Sequence, residues 1–362
     1  MSDLSAPTAI ITTDPDFADL AQVELVESVP GTNRLASLAE GVWLVSLPQS
    51  YWQLAETWRQ QPPIFVRHMN PVQEATPLSR SAEAVDTLRS TALASFADLV
   101  DPSLPFSIQT RIFADVSFRA YDVNTAISQG LIAQTAAPLN VRAPQQILSV
   151  VVAPYQKETM GFLGLAPAVY NLSDWAGGKR RFAREKGQIS RAEFKLLEAL
   201  EVFDVALPPR GVALDLGAAP GGWTRVLRQK EQYVTAVDPA VLHPSLQQDP
   251  NVRHLQLTAE AYLEAGPDQF DLIVNDMRLD ARDSARLLVA YAPYLYRHGR
   301  ALMTLKLPEE KRENVIDHTF NILRRAYAIV GARQLFHNRS EITVYLKPKD
   351  SSNSEPGQVD KE

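Results

Sequence analysis

The stretch that decides the fold is ALDLGAAPGGWTRVL, Ala213 to Leu227. An apolar run with an acid near its end leads through a turn that contains Gly217, Gly221 and Gly222 into residues with helical spacing. Because glycine has no side chain, the backbone of such a strand-to-helix turn can closely approach a ligand. A second acid, Asp238, ends the next apolar run, where an acid can hydrogen-bond the ribose hydroxyls of a nucleoside. The stretch therefore predicts a βα unit of Rossmann type that binds a nucleoside cofactor.

The spacing of the glycines bears on the class of cofactor. The turn reads G-A-A-P-G-G rather than the G-x-G-x-x-G of nicotinamide-dinucleotide enzymes, which disfavours a dehydrogenase without excluding one. A turn needed only for packing a strand against a helix would explain a single glycine. It does not explain the cluster together with Asp238.

The pattern around the turn extends from about residue 211 to residue 346, where short strand-like runs alternate with helical ones. Seven runs are typical of strands: GVALDLG, QYVTAVD, VRHLQL, FDLIVND, ALMTLK, AIVGARQLF and EITVYLK. Three runs are typical of helices: WTRVLRQ, SARLLVAYAPYLYR and PEEKRENVIDHTFNILRRAY. The alternation predicts an α/β domain with a seven-stranded, mainly parallel sheet, closed by a strand pair at one edge.

The N-terminal half has a different pattern, with two small α+β layers at roughly 20–75 and 85–168, joined by the polar linker QEATPLSRS. The residues after Lys347 are polar and rich in Ser, Pro and charge, so they cannot bury enough apolar area to offset the entropy of ordering. The predicted divisions are 1–80, 81–168, 169–347 and a disordered tail over 348–362.

Composition limits the other possibilities. The chain of 362 residues contains no cysteine, which excludes disulfides, thiolate zinc sites and cysteine nucleophiles. It shows no basic, apolar leader and no run of about 18 to 20 apolar residues that could span a bilayer. We find no His or carboxylate cluster with the spacing of metal ligands. A cytoplasmic protein is therefore expected, a monomer without a metal and without membrane attachment.

Five sequence blocks carry a family resemblance. They are SRAEFKLLEALEVF, DLGAAPGGWT, NDM, LKLPEEKR and ARQLFHNRSEITVYLK, in this order between residues 188 and 347. In these blocks the chain resembles the FtsJ-like RNA 2′-O-ribose methyltransferases, and most of all the branch that modifies a cytidine of large-subunit ribosomal RNA. More faintly, 1–80 and 81–168 resemble the ferredoxin-like and THUMP-like regions of that branch's RNA-binding module. The resemblance implies S-adenosylmethionine as cofactor and ribosomal RNA as partner.

The resemblance also implies a catalytic tetrad: Lys195, Asp276, Lys306 and Glu341. Each alone has a simpler explanation, for instance a helix cap for Asp276, an exposed edge charge for Glu341 and a solvated loop residue for Lys306. We take Lys306 as the candidate base. A free lysine is protonated at neutral pH, and it accepts a proton only if burial and a second ammonium lower its pKa. The two carboxylates act in the opposite direction, so the sequence leaves the net shift open.

Cofactor contacts follow from the same blocks. The resemblance assigns them to Ser190, Ala219, Pro220, Gly221, Gly222, Asp238 and Asp276, with Gly217 and Trp223 as neighbours. The chain departs from the family where an Asp should meet the adenine. Thr258 stands there, and Glu260 close by is a possible substitute.

A basic run precedes the tetrad lysine on helix SRAEFKLLEALEVF. It contains Lys179, Arg180, Arg181, Arg184, Lys186 and Arg191. Such a run is usually a solvated face, but between an RNA-binding module and an active site it favours contacts with RNA phosphates. Trp175 could stack on a base, although a lone tryptophan more often belongs to a core.

Two alternatives stay open from sequence. The methylated RNA could be another one, such as tRNA, because the N-terminal half diverges more than the catalytic blocks. The chain could also be a non-catalytic ribosome-assembly factor that uses the fold to hold RNA. The presence of all four tetrad residues disfavours the second alternative.

Overall fold

The computed structural model describes residues 8–349. The chain divides after Arg181 into two compact units, and each is described by itself. Most of the predicted disordered tail, from residue 350 onward, lies outside the described residues. Within residues 8–349, no helix is long and apolar enough to cross a membrane.

The N-terminal unit contains two four-stranded sheets. The elements of the first sheet, in chain order, are β1 (Thr8–Thr13), α1 (Ala18–Ser28), β2 (Asn33–Ala39), β3 (Val42–Ser46), α2 (Tyr51–Gln60) and β4 (Val66–Val72). Its strand order is β2-β3-β1-β4, and all neighbours are antiparallel. The apolar and β-branched run of β1 is buried along its whole length, as expected for an inner strand.

The second sheet follows directly in the chain. Its elements are β5 (Glu74–Leu78), α3 (Glu83–Phe96), β6 (Phe106–Ile112), α4 (Ala120–Thr135), β7 (Gln146–Tyr155) and β8 (Glu158–Pro167). The strand order is β5-β8-β7-β6, with β6 and β7 parallel and the other pairs antiparallel. Helices α3 and α4 pack their apolar faces on this sheet, with Leu88 and Ile127 fully buried.

The prediction of a linker over QEATPLSRS is wrong. Residues Glu74 to Leu78 form β5, which pairs with β8. The strand lies at the edge of the sheet and is only partly buried, which explains its polar sequence and why Pro77 is tolerated there. A predicted division at residue 80 therefore falls after the first strand of the second sheet and stays a prediction.

The C-terminal unit is a single α/β domain. Its elements are α5 (Ala192–Val202), β9 (Val212–Leu216), α6 (Gly222–Gln229), β10 (Tyr233–Val237), α7 (Pro244–Gln247), β11 (Val252–Leu255), α8 (Ala259–Glu264), β12 (Phe270–Asn275), α9 (Ala281–Ala290), β13 (Leu295–Lys306), α10 (Arg312–Leu323), β14 (Tyr327–Arg333) and β15 (Glu341–Pro348). The sheet order is β11-β10-β9-β12-β13-β15-β14. Only β15 runs antiparallel to its neighbours, β13 and β14.

Two predicted helices are shorter than expected. The run SARLLVAYAPYLYR leaves the α-helix at Ala290, because Pro293 has no N–H to continue it, and Leu295 already begins β13. The run that starts PEEKR becomes helical only at Arg312, after Lys311 with a φ of 56°. Lys311, which belongs to this predicted helical run, is the exposed residue just before α10.

The order of strands determines where a site can form. The chain starts the sheet at β9, builds outward to β11, and then returns to add β12 on the other side of β9. In open α/β sheets, ligands bind beyond the carboxyl ends of the strands at such a switch point. The glycine turn follows β9 and Asp276 follows β12, so both lie at this point.

Candidate active site

Four side chains meet beyond the carboxyl edge of the C-terminal sheet. Lys306 is the last residue of β13 and is the register partner of Glu341, the first residue of β15. Asp276 follows β12 directly, and Lys195 comes from α5. The structure thus brings together all four residues of the predicted tetrad, from four different elements.

Asp276 is the centre of the group. The Lys306 Nζ lies 2.7 Å from Asp276 Oδ1, and the Lys195 Nζ lies 3.3 Å from each carboxylate oxygen. Glu341 faces the same two lysines, at 2.6 Å from Lys195 Nζ and 3.9 Å from Lys306 Nζ. Each ammonium therefore contacts both carboxylates.

The simpler explanations for these residues do not fit their positions. The N-cap of α9 is Asp280, so Asp276 does not cap that helix. Glu341 is only 4% exposed and begins an inner strand. The Lys306 side chain is 24% exposed, which is too little for a solvated loop residue.

Thr304 is a member of the group that sequence reasoning missed. Its hydroxyl donates to Asp276 Oδ1 at 2.6 Å and accepts a hydrogen bond from Lys306 Nζ at 2.9 Å. A signal was available, since residues two apart on a strand lie on the same face. Thr304 therefore sets the positions of both the acid and the candidate base.

The surroundings move the pKa values of the two lysines in opposite directions. Burial lowers the pKa of Lys306, and Lys195 adds to this, against the raising effect of Asp276 and Glu341; the net pKa lies below that of an ordinary lysine. Burial also acts to lower the pKa of Lys195, but the two carboxylates outweigh it and the net pKa is raised. For Asp276, burial alone would raise the pKa, yet the two ammonium groups bring it below the usual range. When two neighbouring groups have separated pKa values, the group with the lower pKa more readily gives up its proton and is the better candidate for a base.

The glycine turn leaves no room for side chains at three positions. Gly217 and Gly221 have φ values of 73° and 111°, which L side chains rarely adopt. A Cβ on Gly221 would lie 2.2 Å from Leu246 Cδ1, and one on Gly222 would lie 2.2 Å from Ser190 Oγ. The turn therefore offers bare backbone beside Ser190, as the approach of a ligand requires.

Asp238 is tied to this turn. Its Oδ2 accepts a hydrogen bond from the Ala219 N–H at 3.1 Å, and its Oδ1 accepts one from Ala240 N–H at 2.8 Å. Each carboxylate oxygen can accept a second hydrogen bond, so the half-buried group can still receive ribose hydroxyls. The turn and Asp238 fit a nucleoside cofactor.

Other predicted cofactor residues have roles within the protein. The Trp223 indole is buried, and its Nε1 donates to the Ala192 carbonyl at 2.8 Å. The Ser190 hydroxyl accepts from the Ala192 N–H at 3.2 Å. Thr258 caps α8 by accepting from the Ala261 N–H, and Glu260 is exposed in the first turn of that helix. Pro220 follows a cis peptide bond within the turn.

Asp215, one residue before the end of β9, was not among the predicted site residues. It is buried and accepts a hydrogen bond from Thr224 Oγ1 at 2.6 Å. Burial is the main cause of its raised pKa, which is about 7. The like charges of Asp276 and Asp238 raise the pKa further, and the hydrogen bonds from Thr224 lower it. The signal in the sequence was the acid of DLG, which stands at the same strand end as the turn.

The basic run is divided between the two units. Lys179, Arg180 and Arg181 belong to the N-terminal unit, where the Arg180 guanidinium lies 4.4 Å from the centre of the Trp175 ring. The C-terminal unit contains three exposed members: Arg184, Lys186 and Arg191. None of the six takes part in the tetrad contacts. Across residues 8–349, no group of three or more His, Asp or Glu side chains is placed to hold a metal ion.

The chain was compared with known proteins. Residues 188–319 match the family model of the FtsJ-like methyltransferases. That range holds the glycine turn, Asp238 and three members of the tetrad, and it ends before Glu341.

Curated relatives cover a similar part of the chain. A protein of Halorhodospira halophila named ribosomal RNA large subunit methyltransferase M is 34% identical over 195 residues, 53% of this chain and 56% of its own. The protein of the same name from Alkalilimnicola ehrlichii is 38% identical over 196 residues, 50% of this chain and 51% of its own. The chain thus spans about half the length of the curated relatives it matches.

A search of solved structures gives weaker likenesses. The crystal structure of TrmN from Thermus thermophilus aligns with 95% of this chain and 100% of its own, at 17% identity and a TM-score of 0.41, too low to establish a shared fold. The family model and the curated relatives confirm the predicted relation to the FtsJ-like methyltransferases. The chain contains an FtsJ-like methyltransferase domain.

Proposed function

We propose that the chain transfers a methyl group from S-adenosylmethionine to a ribose 2′-hydroxyl of RNA, namely a cytidine of large-subunit ribosomal RNA. The observation that carries the proposal is the convergence of Lys195, Asp276, Lys306 and Glu341 at the strand ends that also hold the glycine turn. The ribosomal substrate is supported by the name that the relatives share.

The residues proposed to hold the cofactor lie around the glycine turn. They are Ser190, Gly217, Ala219, Pro220, Gly221, Gly222, Trp223, Asp238 and Asp276, with Thr258 or Glu260 toward the adenine. When bound, S-adenosylmethionine supplies a methyl carbon activated by a positively charged sulfur. Asp238 would accept hydrogen bonds from the ribose hydroxyls, and the turn would admit the cofactor to its backbone.

The tetrad would handle the proton of the nucleophile. A ribose hydroxyl is a weak nucleophile, so its proton has to leave as the oxygen attacks. Lys306 Nζ is the proposed acceptor, since it is the lysine with the lowered pKa. Lys195 stays charged and disfavours a second charge on Lys306, while Asp276 and Thr304 fix the direction of its amine.

The N-terminal unit is proposed to bind the RNA. The order β-α-β-β-α-β of its first sheet supports a ferredoxin-like region within 1–80. We propose a THUMP-like region for 81–168 and RNA contacts for the basic run. The methyltransferase region would then begin near residue 169.

The test is methyl transfer by the purified full chain. With tritiated S-adenosylmethionine and ribosomal RNA from a strain that lacks the protein, we expect label at one cytidine 2′-oxygen. Label in tRNA alone would identify tRNA as the substrate in place of ribosomal RNA. RNA binding without any label would support the alternative of a non-catalytic assembly factor. Binding of a nicotinamide dinucleotide in preference to S-adenosylmethionine would contradict the proposed chemistry.

A further inference from the structure

Arg111 in β6 of the N-terminal unit is a cation with neutral partners. Its Nη1 donates to Thr12 Oγ1 at 2.6 Å and its Nη2 donates to Asn70 Oδ1 at 3.0 Å. A guanidinium has five N–H donors. Burial lowers the pKa of Arg111 to about 10, so the group is still charged at neutral pH. Its guanidinium carbon lies 5.9 Å from the centre of the Phe113 ring, which is also neutral. Among the described residues Arg111 makes no ion pair with a carboxylate, and three of its five N–H donors make no hydrogen bond.

Further cations surround Arg111. The turn of Gly177 and Gly178 packs on two arginines, because a Cβ on Gly177 would lie 2.9 Å from Arg111 Nη1 and one on Gly178 would lie 3.0 Å from Arg67 Cβ. This close packing places Lys179, the next residue, beside both of them.

The charges of this group do not balance. The partial burial of its ammonium group lowers the pKa of Lys179, and the charges of Arg111, Arg181 and Arg67 lower it further. Asp14 acts on the pKa of Lys179 in the opposite direction, and it already pairs with Arg67 at 2.9 Å. Within residues 8–349, the group formed by Arg111, Lys179, Arg67 and Asp14 therefore contains more cations than carboxylates.

His68 adds a second observation at the same place. It is the register partner of Thr12 on β1, and it is 1% exposed. Neither ring nitrogen has a hydrogen-bond partner among the described residues. Burial, with the charge of Arg111, holds the pKa of His68 well below its usual range, so the ring is neutral and a polar N–H stays unused beside the guanidinium.

A buried cation without a carboxylate partner, such as Arg111, is costly, and a neutral side chain could bond Thr12 and Asn70 equally well. The planar fork of Arg is suited to a phosphate, which takes two N–H donors at once. We propose that Arg111, Lys179 and Arg67 form a binding site for a phosphate group at the Gly177–Gly178 turn. That the phosphate belongs to an RNA backbone rests on the proposed function; the anion site itself does not.

The experiment uses the full chain and two probes. The first is inorganic tripolyphosphate, measured as a rise in melting temperature over sodium chloride at equal ionic strength. The second is a 12-nucleotide single-stranded RNA, measured as the slope of log affinity against log salt. The variants are Arg111→Gln and Lys179→Gln, with Arg142→Gln, an exposed arginine of the same unit, as the matched control.

We expect both variants to lose most of the tripolyphosphate shift, and each to flatten the RNA slope by about 0.7 per lost phosphate contact. Arg142→Gln should match the parent in both assays. Arg111 connects β6 to β1 and β4, so Arg111→Gln could unfold. In that case the test rests on Lys179→Gln, because the exposed Lys179 makes no such connection. The proposed site would be refuted if the folded variants kept the parent's rise in melting temperature with tripolyphosphate. It would also be refuted if tripolyphosphate did not stabilise the parent.

The RNA arm separates this proposal from the proposed function. One outcome is that the parent binds and methylates RNA while the variants show the same salt dependence of RNA affinity as the parent. That result would refute RNA as the source of the phosphate. A parent that neither binds nor methylates RNA refutes the proposed function. In that case a tripolyphosphate shift that depends on Lys179 still supports an anion site, for a free phosphate compound.

Discussion

The two tetrad lysines differ in how strongly the carboxylates hold them. Lys195 lies within 3.3 Å of both Asp276 and Glu341, so its ammonium form is stabilised twice. Lys306 is close to Asp276 but 3.9 Å from Glu341, and the burial of its side chain outweighs the single close ion pair. The distance to Glu341 is thus 2.6 Å for Lys195 and 3.9 Å for Lys306, and this difference accompanies the separation of their pKa values.

Removal of the candidate base should stop the chemistry and leave binding intact. For Lys306→Ala we expect the methyl-transfer rate to fall by about 10² to 10⁴, the usual contribution of a general base. Cofactor affinity should stay near the parent's, and the chain should fold, because Lys195 and Thr304 still face Asp276. Single-turnover kinetics and calorimetry measure the two quantities.

The control for this variant is Lys311→Ala, a nearby exposed lysine that should remain fully active. The parent's rate should rise with pH until the Lys306 amine is neutral, and its lowered pKa places that limb below the range of an ordinary lysine. Lys306→Arg keeps the charge but cannot release its proton, so it should lack the limb. A near-parental rate for Lys306→Ala would refute the assignment of the base.

Asp215 should make stability depend on pH. Its pKa is about 7 when folded and near 3.8 when unfolded, so between these values the folded state keeps a proton that the unfolded state releases. The free energy of unfolding therefore falls as pH rises through this window, by about 2.5 kcal/mol from pH 5 to pH 8. Asp215→Asn cannot ionise and should lose this dependence, measured by urea unfolding without cofactor. An equal fall in the parent and the variant would show that other groups cause it.

At the scale of elements, a buried acid on α5 fixes the loop before β15. The Glu198 carboxylate accepts the backbone N–H groups of Phe336 and His337, each at 2.9 Å. The His337 ring packs against Phe194 and Phe182, with ring centres 5.1 and 5.4 Å away. Helix α5 thus determines the path of the loop that leads to Glu341, in addition to supplying Lys195.

Glu198→Gln should loosen this loop. An amide can accept one of the two N–H groups but turns a donor toward the other, which should lower the free energy of unfolding by about 1.5 to 3 kcal/mol. Methyl transfer should also fall, since Glu341 follows the loop. Urea unfolding and initial rates measure the two effects, with the exposed Glu264→Gln on α8 as control. Parental stability and rate in Glu198→Gln would mean that β15 is positioned by strand pairing alone.

Elements differ in how far the sequence predicts them. The inner strands of the C-terminal sheet follow from their apolar runs, whereas the four tetrad residues are predicted from the resemblance of the sequence blocks to a known family. Edge and terminal features do not follow so directly: β5 is polar because it is half-exposed, and α9 ends at a proline that lies inside an apolar run. The alternation of side chains along β13 places Thr304 on the same face as Lys306, but its contact with Asp276 depends on how β12 and β13 are paired, which the sequence of one strand does not fix.

At the scale of the whole molecule, charge is unevenly distributed. The formal net charge is −6, yet the basic run supplies six cations within 13 residues, from Lys179 to Arg191. A chain of this net charge does not attract polyanions over its whole surface, so affinity for RNA has to come from local groups. Three cations of the run, and the Arg111 group, lie in the N-terminal unit.

The last prediction separates catalysis from RNA affinity. The C-terminal unit, 182–362, has its own sheet and its own core, and it contains the whole tetrad. Produced alone, it should bind S-adenosylmethionine with the parent's affinity, because every proposed cofactor residue lies within it. Its KM for ribosomal RNA should rise at least about tenfold, since a loss of 1.4 kcal/mol in binding suffices for that factor. The rate at saturating RNA should change less, because the lost contacts bind the substrate and the transition state equally. A cooperative urea transition establishes that the fragment folds, and an unchanged KM in a folded fragment would mean that the N-terminal unit does not bind the substrate.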